Sequence, residues 1–310
     1  MTAETYNFQS ENGCGMREVT GKIIKGVGGL YEVYVEDLGP VECRAKGILR
    51  YNGIKPLIGD DVRLDVLDAE KRIGNLTEVL PRRNSLIRPA VANVDQAMIV
   101  FAVKDPEPHL NLLDRFLILM KREGVPVIIC FNKTDKASEG ELESFQRTYA
   151  GCGCAIRFIQ ANRPDTMDEV YRDLLGKTTV LAGPSGVGKS TIMNHFQPEA
   201  EMETGELSER IQRGKNTTRH SQLNYVTSNT YLCDTPGFSS LFLPEMEPEE
   251  LGGFYPEFHP FSGKCRFPDC VHRREPECAV KQAVEEGIIA RERYEQYNLL
   301  FEELSTKKRW

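Results

Sequence analysis

Residues 178–191 read "TTVLAGPSGVGKST", a β-branched apolar run followed by a glycine-rich loop and the start of a helix. The loop has the form GxxxxGK[ST], whose glycines let backbone N–H groups approach phosphate oxygens beside a helix N-terminus. We expect Lys189 to reach the β- and γ-phosphates of a nucleotide and the Ser190 hydroxyl to bind Mg²⁺. A chance glycine-rich turn is the alternative, and the complete pattern between strand and helix argues against it. The predicted phosphate-binding residues are Gly183, Pro184, Ser185, Gly186, Val187, Gly188, Lys189, Ser190 and Thr191.

A second motif, "FNKTD" at residues 131–135, follows the apolar run "VPVIIC" and is typical of guanine recognition. The Asp135 carboxylate can accept hydrogen bonds from N1–H and the exocyclic amine of guanine, a donor pair that adenine lacks. Asn132 is expected to contact N7 and to hold the loop, and Lys133 to cover the base and the ribose edge. In isolation these residues would also fit a solvated polar turn. The predicted GTP-binding residues of this motif are Asn132, Lys133, Thr134 and Asp135.

A third motif, "YLCDTPG" at residues 231–237, places an acidic residue at the end of another apolar strand. Asp234 is expected to hold the Mg²⁺ shell, and the Gly237 N–H to sense the γ-phosphate. The preceding stretch "LSERIQRGKNTTRHS" (207–221) offers two adjacent threonines for the same Mg²⁺, and the sequence does not choose between them. The predicted Mg²⁺ and switch residues are Ser190, Thr217, Thr218, Asp234 and Gly237.

The order of these motifs is that of a circularly permuted GTPase domain, because the base-reading motif precedes the phosphate loop by some fifty residues. Apolar runs alternate with helical patterns from Val94 onward, which predicts a parallel α/β sheet. "FIQANRP" (158–164), with Ala161, lies where a second base-contacting loop is expected. Phe238 follows the third motif and cannot orient water, so we expect hydrolysis to be slow without another loop or a partner.

The flanking segments predict two further domains. Residues 17–82 contain about five short strands, which favours an OB-fold barrel, with an SH3-like barrel or a sandwich fragment as alternatives. "PRRNSLIRP" (81–89) is expected to be a linker, and residues 279–304 are expected to form one helix. The predicted domains are a disordered leader at 1–16, an OB-fold barrel at 17–82, a GTPase domain at 83–243 and a zinc-binding helical domain at 244–310.

The C-terminal part contains "KCRFPDCVHRREPECAV", with the spacing C-x4-C-x-H-x5-C. Three thiolates and one imidazole within so short a stretch suit a closed, tetrahedral, structural Zn²⁺ site. The alternative is a set of reduced, unliganded thiols. The predicted metal ligands are Cys265, Cys270, His272 and Cys278.

Bulk composition excludes several classes of protein. The chain has 310 residues, a net charge of −7 and 27% charged residues, which is ordinary for a globular protein and unlike a nucleic-acid coat. Nine cysteines, an odd number, argue against a disulfide framework. No apolar run is long enough to span a bilayer and the N-terminus lacks a signal pattern, so we expect a cytoplasmic protein without a membrane partner.

Taken together, these motifs resemble the RsgA (YjeQ/YloQ) family of circularly permuted GTPases. The resemblance covers the chain from about residue 17 onward and also includes "RPAVANVDQ" (88–96) and "AVEEGIIARERYEQY" (283–297). It implies that the OB-fold barrel at 17–82 binds RNA, next to a central GTPase domain and a zinc module. It further implies GTP hydrolysis that is stimulated by the small (30S) ribosomal subunit, contact with 16S rRNA, and a monomeric protein that acts late in subunit assembly.

Two positions depart from the family pattern. Asn216 replaces the usual histidine before the two threonines, and no histidine lies shortly after the DTPG motif, where some members have one. Glu245 lies near that place, so the hydrolytic residue stays unknown, with the Glu245 region as the candidate. Two other functions remain open: a P-loop ATPase or small-molecule kinase, and an RNA-binding module that senses nucleotide without turnover. Preference for GDP over ADP would exclude the first, and subunit-stimulated hydrolysis would exclude the second.

Overall fold

The N-terminal unit is a closed barrel of five strands. In the computed structural model, which describes residues 17–47, 53–87, 89–196, 222–234 and 241–307, contacts divide the chain into Met1–Arg82 and Arg83–Trp310. The barrel order is β1-β2-β3-β5-β4, with β3 and β5 parallel and the other pairs antiparallel. This order confirms the predicted OB-fold over the two alternatives. The strands are β1 (Arg17–Val27), β2 (Leu30–Val35), β3 (Gly39–Ala45), β4 (Asp61–Asp68) and β5 (Ile73–Val79).

Apolar and polar side chains alternate along the barrel strands, which explains which face of each strand is buried. Along "DVRLDVLD" in β4, the buried residues Val62, Leu64 and Val66 alternate with Arg63 and Asp65. Successive side chains of a strand point to opposite faces, so the apolar set fills the interior while the charged set faces solvent. The remaining interior is equally apolar and includes Ile23, Val33, Val41, Cys43 and Leu76.

The segment predicted as a linker, residues 81–89, contains a short β-strand. Ser85–Leu86 (β6) pairs with Val91–Ala92 (β7) in a small antiparallel ladder. The Asn84 side chain donates to the Val94 carbonyl at 2.7 Å and accepts from the Val94 N–H at 2.8 Å. The boundary between the two units falls within this segment, after Arg82, as expected for a linker. Ser85 and Leu86 nevertheless form a β-strand of the second unit, which the sequence did not predict.

A six-stranded sheet forms the centre of the second unit, with the order β10-β9-β8-β11-β13-β12. All neighbouring pairs are parallel except β12 with β13, which confirms the predicted α/β sheet. Every residue of the two central strands β8 and β11 is buried, as expected for strands covered on both faces. The strands are β8 (Gln96–Ala102), β9 (Val127–Asn132), β10 (Ala155–Phe158), β11 (Thr178–Ala182), β12 (Leu223–Thr227) and β13 (Thr230–Asp234).

Helices of the second unit connect the strands and form its C-terminal part. Ser138 and Glu141 form a capping box at the start of α2, with the Ser138 N–H donating to the Glu141 carboxylate at 2.8 Å. The helices are α1 (Leu110–Arg122), α2 (Glu139–Tyr149), α3 (Asp168–Leu174), α4 (Lys189–Phe196), α5 (His259–Ser262), α6 (Ala279–Glu285) and α7 (Arg291–Lys307). Within the described residues, none of them is long and apolar enough to cross a membrane.

The single helix expected over 279–304 is broken into α6 and α7. Gly287 has φ +73°, its N–H donates to the Val284 carbonyl at 3.1 Å, and the Ile288 N–H donates to the Ala283 carbonyl at 2.9 Å. This pair of bonds is a Schellman motif, which ends a helix at a left-handed glycine. The prediction of one helix was wrong because the apolar pattern continues across the break.

Candidate functional site

The three nucleotide-binding motifs meet at one edge of the sheet. β11 lies between β8 and β13, and the register pairs Leu181 with Asp234 and Ala182 with Ile99. β8 in turn pairs Ala102 with Asn132 at the end of β9. Because the carboxyl ends of parallel strands share an edge, the phosphate loop, "FNKTD" and Asp234 face the same crevice. The three motifs thus lie together in space although their order in the chain is permuted.

The phosphate loop is packed too closely for any residue but glycine at two positions. Gly183 has φ +140°, and a Cβ there would lie 2.1 Å from the Val100 carbonyl oxygen. Gly188 has φ +102°, and a Cβ there would lie 2.2 Å from Asn132 Nδ2. Real Cβ atoms do not approach so closely, so these glycines let the loop contact β8 and the base-reading motif. Pro184, Ser185, Gly186, Val187, Ser190 and Thr191 complete the loop, of which Ser185, Gly186, Ser190 and Thr191 are exposed.

Asn132 joins three loops through one buried amide. Its Nδ2 donates to the Val187 carbonyl of the phosphate loop at 2.8 Å. Its Oδ1 accepts from the Ala161 N–H at 2.9 Å, in the loop where a second base contact was expected. Both ends of the amide are therefore paired within the protein, and the side chain is only 3% exposed. Holding the loops is a role that the geometry of Asn132 supports directly.

Lys133 and Asp135 present their side chains at the open edge. The Lys133 Nζ donates to the Gly186 carbonyl at 2.7 Å and, in a shorter contact, to the Asp105 carbonyl. Thr134 is anchored to the Ile159 carbonyl by its N–H at 3.3 Å and by its hydroxyl at 3.2 Å. Within the described part of the chain, the exposed Asp135 carboxylate accepts no hydrogen bond, which leaves both oxygens available to a base.

Lys189 and Asp234 form the charged centre of the crevice. The Lys189 Nζ donates to the carbonyls of Gly183 at 2.9 Å and Pro184 at 2.7 Å. Burial lowers the pKa of Lys189, and the nearby Asp234 carboxylate opposes that shift. Among the described residues, Asp234 Oδ1 is buried without a hydrogen-bond partner. An unpaired carboxylate oxygen beside a phosphate loop fits a Mg²⁺ site, since Mg²⁺ takes one or two carboxylates together with nucleotide phosphates.

Three predicted switch residues, Thr217, Thr218 and Gly237, lie outside the described residues, as do Asn216 and Phe238. Glu245 is described, and its carbonyl accepts a hydrogen bond from Arg122 Nη1 at 2.6 Å. Helix α1 begins after β8, at the edge of the sheet that carries the nucleotide motifs, and extends away from that edge for 13 residues, about 18 Å. Arg122 is its last residue, at the end remote from the nucleotide motifs. This position at the far end of α1 does not favour Glu245 as the hydrolytic residue.

The predicted metal ligands converge in the C-terminal part. The ligand atoms of Cys265, Cys270, His272 and Cys278 all lie within 4.8 Å of one another. His272 Nδ1 is 3.5 Å from the sulfurs of Cys265 and Cys278, which are 3.8 Å apart. Tetrahedral Zn²⁺ with ordinary bond lengths requires S···N separations of about 3.5 Å and S···S separations of about 3.8 Å. The cluster is therefore compatible with a structural zinc ion.

Outer residues hold the backbone of this cluster in place. The hydroxyls of Tyr297 and Tyr294 donate to the carbonyls of Val271 and His272, each at 2.6 Å. The Glu275 carboxylate accepts from the backbone N–H groups of Val271, Arg273 and Arg274 within 3.0 Å. Burial alone would raise the pKa of Glu275, but its backbone hydrogen bonds together lower it. Such supports fix ligand orientation in metal sites.

A buried ionic cluster was not predicted from the sequence. Asp114 of α1 is fully buried and pairs with Arg293 of α7, which also donates from Nε to Glu257 at 2.7 Å. The hydroxyls of Tyr149 and Tyr255 donate to Asp114 at 3.2 and 3.1 Å. Burial raises the pKa of Asp114, and the Arg293 guanidinium opposes that rise. The one available signal was a charged pair, Asp114 and Arg115, inside the apolar helix "LNLLDRFLILM".

Comparison with known proteins places this site in a family. The model of the RsgA GTPase family matches residues 79–244, and that of the RsgA N-terminal domain matches residues 20–73. A protein of Agathobacter rectalis named small ribosomal subunit biogenesis GTPase RsgA is 47% identical, over 94% of this chain and 100% of that protein. A protein of the same name from Alkaliphilus metalliredigens is 43% identical, over 94% of this chain and 99% of that protein.

Solved structures agree with the sequence comparison. YloQ, described as a circularly permuted GTPase, is 36% identical with a TM-score of 0.75, covering 94% of this chain and 96% of its own. YjeQ from Thermotoga maritima is 34% identical with a TM-score of 0.75, covering 93% and 99%. The resemblance deduced from the motifs is confirmed, and the chain belongs to the RsgA GTPase family.

Proposed function

We propose that this protein binds the small (30S) ribosomal subunit and hydrolyses GTP during late assembly of that subunit. The observation that carries the nucleotide part is the Asn132 amide, which ties the base-reading motif, the phosphate loop and the Ala161 loop into one pocket. The ribosomal part rests on the names of the relatives, which are small ribosomal subunit biogenesis GTPases.

Each predicted residue has a role in this proposal. Asp135 reads guanine, Lys133 covers the base, and the backbone N–H groups of Gly183, Gly186 and Gly188 hold the phosphates. Lys189 neutralises the β- and γ-phosphates, which requires it to exchange its carbonyl partners for phosphate oxygens. Ser190 and Asp234 would hold Mg²⁺, which when bound neutralises charge on the phosphates. Thr217 or Thr218 would complete that shell, and the Gly237 N–H would report the γ-phosphate.

The group that orients the attacking water is proposed to come from outside this crevice. Residue 238 is phenylalanine, whose apolar side chain cannot orient water. Glu245 lies beside the end of α1 that is remote from the nucleotide motifs. Slow basal turnover and stimulation by the small subunit follow from this arrangement. The subunit would then supply or order the missing group, as partner-supplied residues do in other GTPases.

The zinc-bearing region and the barrel are proposed to contact 16S rRNA, with one structural Zn²⁺ held by the Cys/His cluster. Thirteen Lys/Arg stand against eleven Asp/Glu between residues 17 and 88, although the whole chain is acidic. Binding through phosphate contacts should weaken as salt rises. Because ribosomal subunits are assembled in the cytoplasm, we propose that the protein works there, as a monomer.

Measurement of GTP hydrolysis with and without purified small subunits tests this function. We expect slow turnover alone and at least about tenfold stimulation by small subunits, with no stimulation by large subunits. An equal rate in all three conditions would rule out the ribosomal function. Turnover of ATP at a comparable rate would instead favour a P-loop ATPase or kinase.

Substitution of Asp135→Asn tests guanine recognition separately. An amide in place of the carboxylate loses the acceptor for the guanine amine but can donate to the C2 carbonyl of xanthine. We expect the ratio of GDP to xanthosine diphosphate affinity to fall by at least about a hundredfold, since two hydrogen bonds to a charged group are exchanged. An unchanged ratio would contradict the assigned role of Asp135.

A further inference from the structure

Arg115 of α1 contacts two segments that lie far apart in the sequence. Its Nη1 donates to the Leu241 carbonyl at 3.3 Å and to Glu303 Oε1 at 3.1 Å, and its Nη2 makes a still shorter contact with Glu303 Oε2. Its Nε donates to Asn111 Oδ1 at 2.8 Å, which fixes the plane of the guanidinium. The side chain is only 15% exposed, so these charge-assisted bonds are shielded from water.

The segments of Leu241 and Glu303 are those that must be linked if the bound nucleotide is to affect the Cys/His region. Leu241 lies four residues beyond Gly237, whose N–H is proposed to report the γ-phosphate. Glu303 lies on α7, whose tyrosines hold the backbone at the Cys/His cluster. α7 is anchored separately, ten residues earlier, by the buried pair between Arg293 and Asp114. The two helices are also joined by a hydrogen bond from Asn111 Nδ2 to Gln296 Oε1 at 3.1 Å. Unlike these two contacts, the Arg115 fork also reaches Leu241, in the segment after DTPG.

We propose that Arg115 is a positioning residue that couples the nucleotide state to α7 and the Cys/His region. This proposal rests on the proposed function, because it concerns how turnover is linked to a partner. A planar guanidinium can hold a carbonyl and a carboxylate at the same time, whereas displacement of Leu241 by an ångström would break the 3.3 Å contact. Coupling between two sites is reciprocal for binding, so a partner on the Cys/His region changes nucleotide affinity through the same contact.

Hydrogen exchange tests this coupling without any ribosome. Amides of residues 291–307 are followed in the zinc-loaded full chain with GDP and with a non-hydrolysable GTP analogue. We expect at least about a twofold difference in exchange rate between the two states in the wild type, and its loss in Arg115→Lys. Lysine keeps a positive charge, but its single Nζ cannot reproduce the planar fork that pairs with both Glu303 oxygens and the Leu241 carbonyl while Nε is held by Asn111. Equal exchange in both nucleotide states of the wild type would overturn the proposal.

Turnover with small subunits gives the second measurement. Arg115→Lys and Glu303→Gln are expected to keep GDP affinity and basal turnover within about twofold, while stimulation by small subunits falls at least about fivefold. Arg122→Lys is the matched control, since Arg122 also donates to a backbone carbonyl, that of Glu245, from the same helix. It should keep full stimulation. A merely structural role would lower the unfolding midpoint of the Arg115 variant while leaving stimulation unchanged, and that result would overturn the proposal.

The outcomes separate this proposal from the proposed function. A wild type that small subunits do not stimulate contradicts the function itself. A stimulated wild type with an equally stimulated Arg115→Lys variant contradicts only the role of Arg115. Because Glu303→Gln alters the same contact from the other side, a variant that fails to fold does not prevent the test.

Discussion

At the scale of single residues, the Asn132 amide sets the geometry of the nucleotide crevice. It donates to Val187 and accepts from Ala161, and its Nδ2 lies so close to Gly188 that no Cβ fits there. The sequence motif predicted that Asn132 would help to hold the loop. The motif did not predict the hydrogen-bond partners of the Asn132 amide, because Val187 and Ala161 are remote from Asn132 in the sequence.

Substitution of Asn132→Ala should weaken nucleotide binding without removing guanine preference. The Val187 carbonyl and the Ala161 N–H would each lose a buried partner, at a cost of about 1–3 kcal/mol for each group. We expect GDP affinity, measured with a fluorescent nucleotide, to fall at least about tenfold while the GDP-to-ADP ratio stays the same. Gln222→Ala, which removes an exposed amide bonded to Asn224 at 3.2 Å, serves as the control. An affinity within about twofold of wild type would contradict a loop-holding role.

At the scale of elements, the break between α6 and α7 depends on one left-handed residue. Gly287→Ala keeps open space around the new Cβ but forces a non-glycine residue to φ +73°. We expect a loss of about 1–2 kcal/mol in the free energy of unfolding, measured with urea. Gly263→Ala is the matched control, because Gly263 has φ −76° and its Cβ would also meet open space. It should be neutral or slightly stabilising, and equal effects of the two substitutions would contradict the strain argument.

The Cys/His cluster is the second element with a definite test. Cys270→Ser removes one thiolate from the cluster, and we expect bound zinc to fall from about one equivalent per chain to near zero. Metal affinity is part of the folding free energy at such sites, so the free energy of unfolding should fall by more than about 3 kcal/mol. Metal analysis and urea unfolding measure the two effects. Cys154→Ser, which changes a partly buried thiol outside the cluster, should keep the zinc content and the free energy of unfolding of the wild type. A full equivalent of zinc in Cys270→Ser would exclude the site.

At the scale of the whole molecule, sequence predicted what is local and missed what is remote. The phosphate loop, the strand alternation of β4 and the Cys/His spacing are contiguous patterns, so their chemistry could be deduced directly. The hairpin of Leu86 with Val91 and the end of α6 at Gly287 depend on backbone bonds that compete with a continuing pattern. The pairing of Asp114 with Arg293 joins residues distant in the chain and leaves no periodic signal.

That buried pair joins α1 to α7, and loss of its cation alone should strongly destabilise the second unit. Arg293→Met would leave the Asp114 and Glu257 carboxylates without their cation in a site where Arg293 is 2% and Asp114 0% exposed. Removal of one partner of a buried pair costs about 3–5 kcal/mol, so we expect a loss of that size in urea unfolding. Arg163→Met, which breaks an exposed pair with Asp165, should cost no more than about 1 kcal/mol. Adding Asp114→Leu to Arg293→Met should recover part of the loss, because an apolar residue needs no cation. A double variant that is less stable than Arg293→Met alone would show that α7 requires the packing around Asp114 rather than its charge.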